Sequence, residues 1–185
     1  MLTKARMRGI IGGATILALF GSFWCITAVS SWPARPGWAI PLAVVATVLL
    51  LFFCGMRWTQ AARLPISDDP EAVAKGKRTG KLFGIIFGLE GGLIGLASAL
   101  LGHGGLGDWI AVEVALIVGV HFLPLAYVFE MPAYYWTGGL SVAGVLACLF
   151  IHPVGLRLLC VGLVMAAVLW STTALLVLRT GATES

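Results

Sequence analysis

Residues 81–102 read KLFGIIFGLEGGLIGLASALLG, and between Lys81 and the glycine-rich turn that follows, this run holds one charged side chain, Glu90. A helix needs roughly 20 apolar residues to cross the hydrocarbon core of a bilayer, which is about 30 Å thick. The run has that length and is too long for a strand. Because lipid offers the backbone no hydrogen-bond partners, the run predicts a transmembrane helix.

Five further apolar runs of similar length share the chain, and breaks rich in proline, glycine or charge separate them. They lie near residues 9–30, 37–56, 109–129, 133–152 and 156–178. Hydrophobic residues make up 59% of the sequence and charged residues 11%, whereas a soluble domain has roughly 45–50% and about 25%. This composition excludes an ordinary soluble enzyme, a disordered tail and a coiled coil. We therefore expect an all-α polytopic membrane protein, with six transmembrane helices in one compact bundle over residues 1–185.

The connection over residues 57–80 is the longest polar segment. Asp69, Pro70 and Glu71 have the composition of a helix start: an N-cap, a proline at the first position and an acid in the first turn. They predict a short helix near 70–78 that continues into the third span. Residues 76–81 lack the spacing of a phosphate-binding loop, so we interpret their basic residues as a topology signal or a contact with anionic lipid.

Lysine and arginine are distributed unevenly between the two ends of the predicted bundle. Ten fall on the side that holds both termini and residues 57–80, and two, Arg35 and Arg157, fall on the other. Cytoplasmic loops carry the excess of basic residues. We therefore expect both termini in the cytoplasm, with the first run retained as an uncleaved span. The net charge of +4 is this signal, and no nucleic-acid partner is predicted.

Glu90 and His121 are predicted to meet near the middle of the membrane. Glu90 lies nine residues beyond Lys81 and His121 lies eight residues before Phe129, which places them about 13 and 12 Å from the same end of the bundle. A short turn joins the two spans, so they are expected to pack antiparallel. Pro124 removes one helical N–H near the imidazole. Such groups inside a membrane commonly line a polar cavity or a proton path.

Two interpretations of this pair remain open. Glu90 and His121, with Glu113 and Pro124 along the same span, could form a proton or substrate path. Equally, an acid and an imidazole could simply hold two helices in register. Charge at mid-membrane costs a few kcal/mol on insertion scales, so both side chains should face the bundle interior.

A second polar cluster is predicted at the opposite, outer face. His103 ends the third span, Asp108 precedes the fourth, with Glu113 just inside it, and His152 ends the fifth. Two imidazoles and carboxylates are suitable ligands for a divalent metal, but the spacing matches no known metal signature. We interpret them as interfacial polar caps and predict no metal and no cofactor.

Glycines recur at every fourth position in the third span, at Gly84, Gly88 and Gly92. Small residues at this spacing let a second helix approach closely. The stripe predicts tight packing within the bundle or, alternatively, a face for a homo-oligomer or a partner membrane protein. Membrane lipids are the other expected partners.

The run over residues 121–126, His-Phe-Leu-Pro-Leu-Ala, occurs with Glu90 upstream and with Tyr134 and Tyr135 downstream. In a six-span frame this arrangement resembles small bacterial inner-membrane proteins with the same helix. The resemblance covers roughly the third to fifth spans. It implies a bacterial inner-membrane location and implies no activity.

Three functions compete at this point. The first is a small proton-linked transporter or channel with its polar site at Glu90 and His121. The second is a structural or accessory membrane subunit without catalytic activity. The third is a membrane enzyme that acts on a lipid or a quinone. The motifs of membrane proteases, Gly-x-Ser-x-Gly and His-Glu-x-x-His, are missing from the sequence, and we favour a protein that is not an enzyme.

Overall fold

The computed structural model describes residues 4–34, 36–65 and 69–182 and, for 181 and 182, the backbone alone. Arg35, which entered the charge count, lies outside these residues. Six helices account for most of the described chain, with a short 3₁₀ turn at Gly107–Trp109 before the fourth. They are α1 (Lys4–Ser31), α2 (Ala39–Ala61), α3 (Pro70–His103), α4 (Ile110–Phe129), α5 (Pro132–Cys148) and α6 (Val154–Ala182).

The prediction of an all-helical, multi-pass membrane protein is confirmed for the described residues, which contain no strand. Five segments are long and apolar enough to cross a membrane: α1, α2, α3, Gly107–Phe129 and most of α6. Helix α5 has 17 residues and is therefore about 25 Å long, shorter than the hydrocarbon core. A sixth crossing by α5 stays a prediction, as does the orientation of the termini.

The short helix predicted near residues 70–78 is the first part of α3, which runs without interruption to His103. The Asp69 side chain accepts a hydrogen bond of 3.0 Å from the backbone N–H of Glu71, as an N-cap does. Gly80 does not break the helix, since one glycine costs only about 1 kcal/mol relative to alanine. Helix α4 ends at Phe129, and Glu130, the C-cap that follows, has a left-handed backbone with φ of 53°.

Helices α1 and α6 form the centre of the bundle. Their backbones come so close that a Cβ atom on Gly162 would lie 2.7 Å from the carbonyl oxygen of Trp24. Trp170 donates from Nε1 to the carbonyl of Ala18 at 3.1 Å. This hydrogen bond joins α6 to α1.

Helix α3 lies at the edge of the bundle and packs along α4. Among residues 70–103, all of which the structure describes, Glu90 alone is buried. Polar contacts connect α3 to α4 or its end at three levels: Lys75 with Glu130, Glu90 with His121, and Ser98 with Glu113. Helix α3 stands away from α1 and leaves an open space between them.

Candidate functional site

A cavity of about 310 Å³ lies between α1, α3 and α4 and is called the cleft below. Its walls come from residues between 9 and 20 of α1, between 80 and 90 of α3, and between 118 and 129 of α4, with one residue each from α5 and α6. Nearly all of these side chains are apolar or aromatic. The polar side chains in the wall are Glu90, His121 and Tyr134.

The cleft reaches the outer surface of the bundle between α1 and α3. Ile16 and Phe20 of α1 and Phe87 of α3 border it, and each leaves 40–48% of its surface exposed. Gly9 and Gly12 add no side chain, and a Cβ atom built on either would meet nothing within 4 Å. The glycines of α1 therefore keep the cleft wide.

Glu90 and His121 meet at the wall of the cleft, as the depth estimate predicts. Oε1 of Glu90 lies 3.1 Å from Nδ1 of His121. Glu90 is 7% exposed, although α3 is otherwise a surface helix. The antiparallel packing of α3 on α4 brings the two side chains to one level.

The second contact of His121 fixes which nitrogen carries the proton. Nδ1 also lies 2.7 Å from the carbonyl oxygen of Val118. A carbonyl only accepts, so Nδ1 is the donor and, in a neutral ring, Nε2 is the acceptor. Among the described residues, neither Nε2 of His121 nor Oε2 of Glu90 has a hydrogen-bond partner. Both atoms are therefore available to a ligand.

Tyr134, in the first turn of α5, is the site residue that the sequence analysis missed. It is 5% exposed, and its ring lies 5.8 Å from that of Phe122 and 6.1 Å from that of Phe129. Its hydroxyl would lie 2.8 Å from a Cβ atom on Gly13. No partner for this hydroxyl occurs in the described part of the chain. A tyrosine opposite a glycine-rich helix is the signal that could have found it.

A second cavity, of about 500 Å³, continues from the cleft toward the N-terminal end of α1 and is called the mouth. Lys75 Nζ donates to Glu130 Oε1 across it at 2.6 Å, and Arg6 also lines it. The hydrogen bond and charge of Lys75, with a smaller effect of Arg6, hold the pKa of Glu130 below its ordinary value of 4.5. The mouth therefore contains basic side chains, which the wall of the cleft lacks.

Two of the predicted path residues lie away from the cleft. Glu113 accepts a hydrogen bond of 3.0 Å from Ser98 through Oε2, and its buried Oε1 has no partner among the described residues. Neither Glu113 nor Pro124 lines the cleft. The carbonyl that binds His121 belongs to Val118, three residues before it and away from Pro124.

The predicted outer-face residues His103, Asp108 and His152 are all exposed. Nδ1 of His103 donates to the carbonyl oxygen of Ala99 at 2.9 Å, which closes the end of α3. Across the described ranges, no three His, Cys, Asp or Glu residues are grouped so that they could hold a metal ion.

The chemistry of the cleft follows from its composition. An acid and an imidazole in contact can hold one shared proton and titrate as a unit. The tyrosine adds a hydroxyl that can donate or accept. Apolar walls with a few convergent polar groups are typical of small-molecule sites. No protein-family model matches this chain, and neither does any curated protein or any solved structure.

Proposed function

We propose that this protein is a small membrane transporter that binds a largely apolar molecule in the cleft and couples its movement to a proton held by Glu90 and His121. The observation that carries the proposal is the position of this pair on the wall of a cavity. A pair that only held two helices in register would be packed among side chains on all sides.

The volume of the cleft suits a small ligand. Small-molecule sites have volumes of about 300–1,000 Å³, and the cleft, at about 310 Å³, lies at the lower end. Its border of exposed apolar side chains faces the region that lipid occupies in a membrane. A substrate dissolved in the bilayer would enter sideways between α1 and α3 without crossing a polar surface.

The pair supplies the proton coupling. Ionisable side chains inside a membrane are costly and mark ion and proton paths in pumps and transporters. Here Glu90 lines the proposed binding space, and its Oε2 has no hydrogen-bond partner among the described residues. Proton and substrate would therefore act on the same carboxylate.

The proposed location is a bacterial inner membrane, with both termini in the cytoplasm and α5 as the sixth crossing. The basic residues around the mouth support this orientation, since Lys and Arg are in excess on cytoplasmic segments. Reporter fusions at the C-terminus test it: a reporter active on the outer side of the membrane would contradict it.

A role as an accessory subunit is the second candidate. Gly84, Gly88 and Gly92 are exposed, and a Cβ atom on any of them would meet nothing within 4 Å. Stripes of this kind dock helices in membranes. A partner subunit or a second copy of the chain would be the occupant, and co-purification under mild detergent tests it.

Photolabelling tests whether the cleft binds apolar molecules. A small neutral aryl diazirine, activated by light in liposomes, should label the cleft residues of the wild type. Gly12→Leu should suppress this labelling because the new side chain occupies the cleft. Gly55→Leu is the matched control, since a side chain there also meets nothing within 4 Å but lies on α2. Labelling that is uniform over all lipid-facing residues, and equal in both variants, would favour the accessory role.

Proton movement is measured in the same liposomes with an internal pH-sensitive dye after an aryl diazirine, neutral or bearing an ammonium group and kept in the dark, is added outside. Wild type should acidify or alkalinise the interior faster than empty liposomes do. Glu90→Gln, which keeps the size of the side chain, should remove this flux, and Glu113→Gln should not. Equal flux in wild type and Glu90→Gln would contradict the coupling.

A further inference from the structure

Among the described residues, the charged groups in the wall of the cleft are acidic and not basic. Its wall contains one carboxylate, Glu90, and no Lys or Arg among the described residues. The neighbouring mouth is lined by two basic side chains, Arg6 and Lys75, and Lys75 is paired with Glu130 at 2.6 Å. A ligand in the cleft therefore meets an acid without a fixed cationic partner.

The titratable groups around Glu90 do not change this balance. Helix α4 presents His121, which is neutral when Nδ1 alone carries a proton, and α5 presents the hydroxyl of Tyr134. The cleft faces of α1 and α6 contribute only glycine and apolar side chains. An ionised Glu90 thus leaves one negative charge in an apolar cavity, which is costly unless a positive charge accompanies it.

Aromatic rings occupy much of the remaining wall. Phe83 and Phe87 stack on each other with centroids 5.8 Å apart, next to Glu90 on the same helix. Phe122 and Tyr134 present two more rings from α4 and α5. Cations bind favourably over the faces of aromatic rings. Acid and rings together favour a positively charged, otherwise apolar ligand.

We propose that the substrate of the cleft is a lipophilic organic monocation, an alkylated or arylated ammonium or phosphonium, which replaces the proton on Glu90. This inference rests on the proposed function and names its substrate class. When the cation enters, Glu90 releases one proton and becomes a carboxylate, whose negative charge balances the cation, so the net charge of the site does not change. When the cation leaves, the carboxylate takes up a proton again. No bond other than that to the proton is formed or broken.

Two ions of equal shape and opposite charge test the proposal. Tetraphenylphosphonium and tetraphenylborate are titrated into the purified full-length protein in neutral detergent. The wild type should bind the phosphonium at least about tenfold more tightly than the borate, which corresponds to about 1.4 kcal/mol. Phosphonium binding should release one proton per site, seen as a pH change in weakly buffered solution.

Variants of Glu90 test whether its carboxylate causes both the preference for the phosphonium and the proton release. Glu90→Gln should lose the preference for the phosphonium and the proton release, whereas Glu90→Asp, which keeps the charge, should retain both. Glu113→Gln is the matched control, because this acid lies in the same two-helix pair but outside the cleft. Size-exclusion profiles and helical circular dichroism of all variants should match the wild type.

The outcomes separate the substrate class from the proposed function. If both ions bind equally, or if Glu90→Gln still prefers the phosphonium, the cation proposal is wrong. If the borate or the neutral diazirine occupies the cleft and the phosphonium does not, the cation proposal fails while a ligand-binding cleft stands. If Gly12→Leu changes the binding of none of the three probes, the cleft is not a ligand site and both proposals fail.

Discussion

The contact between Gly13 and Tyr134 can be tested by two neighbouring substitutions of opposite effect. A Cβ atom on Gly13 would lie 2.8 Å from the Tyr134 hydroxyl, whereas one on Gly12 would meet nothing within 4 Å. Alanine is favoured over glycine in a helix by about 1 kcal/mol, and this gain is common to both sites. Overpacking typically costs about 1–3 kcal/mol, and it applies to Gly13 alone.

We therefore expect Gly12→Ala to stabilise the protein by up to about 1 kcal/mol. Gly13→Ala should be less stable than Gly12→Ala by about 1–3 kcal/mol, because the Tyr134 ring would have to shift against the rings of Phe122 and Phe129. The assay is reversible unfolding in mixed micelles of mild detergent and sodium dodecyl sulfate, followed by circular dichroism.

Tyr134→Phe provides the decisive control. Apart from neighbouring atoms of α1 itself, the hydroxyl is the one described atom within 4 Å of the added Cβ, so its removal should relieve the clash. In the Tyr134→Phe background, Gly13→Ala should become as favourable as Gly12→Ala is in the wild type. Such non-additivity is what a direct contact produces. If Gly13→Ala is as stable as Gly12→Ala in the wild type, the tyrosine does not lie against α1 and the geometry of the cleft is wrong.

Three further outcomes are expected. Lys75→Met should raise the pKa of Glu130 toward 4.5, as measured by NMR of labelled glutamate. Because this pKa is depressed, the ion pair stabilises the folded protein above pH 4.5, and that contribution is lost as the pH falls through the lowered pKa. An unchanged pKa of Glu130 in Lys75→Met would contradict the pairing. Trp170→Phe should destabilise the protein by about 0.5–1.5 kcal/mol through the lost hydrogen bond to α1, and unchanged stability in the micelle assay would contradict that bond. Gly162→Ala should cost more than Gly55→Ala, since the first meets backbone at 2.7 Å and the second meets nothing; equal melting temperatures would contradict close α1–α6 packing.

The part of the site that the sequence predicts is the part fixed by counting along helices. Glu90 and His121 lie at known distances from charged or polar ends, and a short turn forces their helices to be neighbours. Depth and adjacency together leave few alternatives to a contact, and the structure places the two side chains 3.1 Å apart.

The parts that could not be predicted depend on rotation about the helix axis and on distant neighbours. Pro124 and Glu113 share α4 with His121, but neither lines the cleft, and apolar residues on every side of α4 conceal which face is internal. Tyr134 meets Gly13 across more than a hundred residues of chain. A pattern of aromatic residues near a helix end indicates an interface with the lipid headgroups as readily as a buried ring.

The fold, like the site, could be predicted from the sequence only in part. Apolar length identifies the helices because lipid requires every backbone group to be satisfied within them. It does not identify their partners, since apolar faces differ little between lipid and protein contact. The close packing of α1 against α6 is visible in the sequence only as scattered glycines and alanines, among them Gly162 and Ala28.

The pairing of α1 with α6 has a consequence for biosynthesis. The ribosome adds about 5–20 residues per second, so α1 would wait roughly 8–30 s in the membrane before its main partner is made. During that interval the face of α1 that packs on α6 lacks its partner, and the wall of the cleft lacks Leu169. Nascent chains halted before α6 should therefore be substrates for membrane proteases or insertion chaperones, and the finished bundle should not.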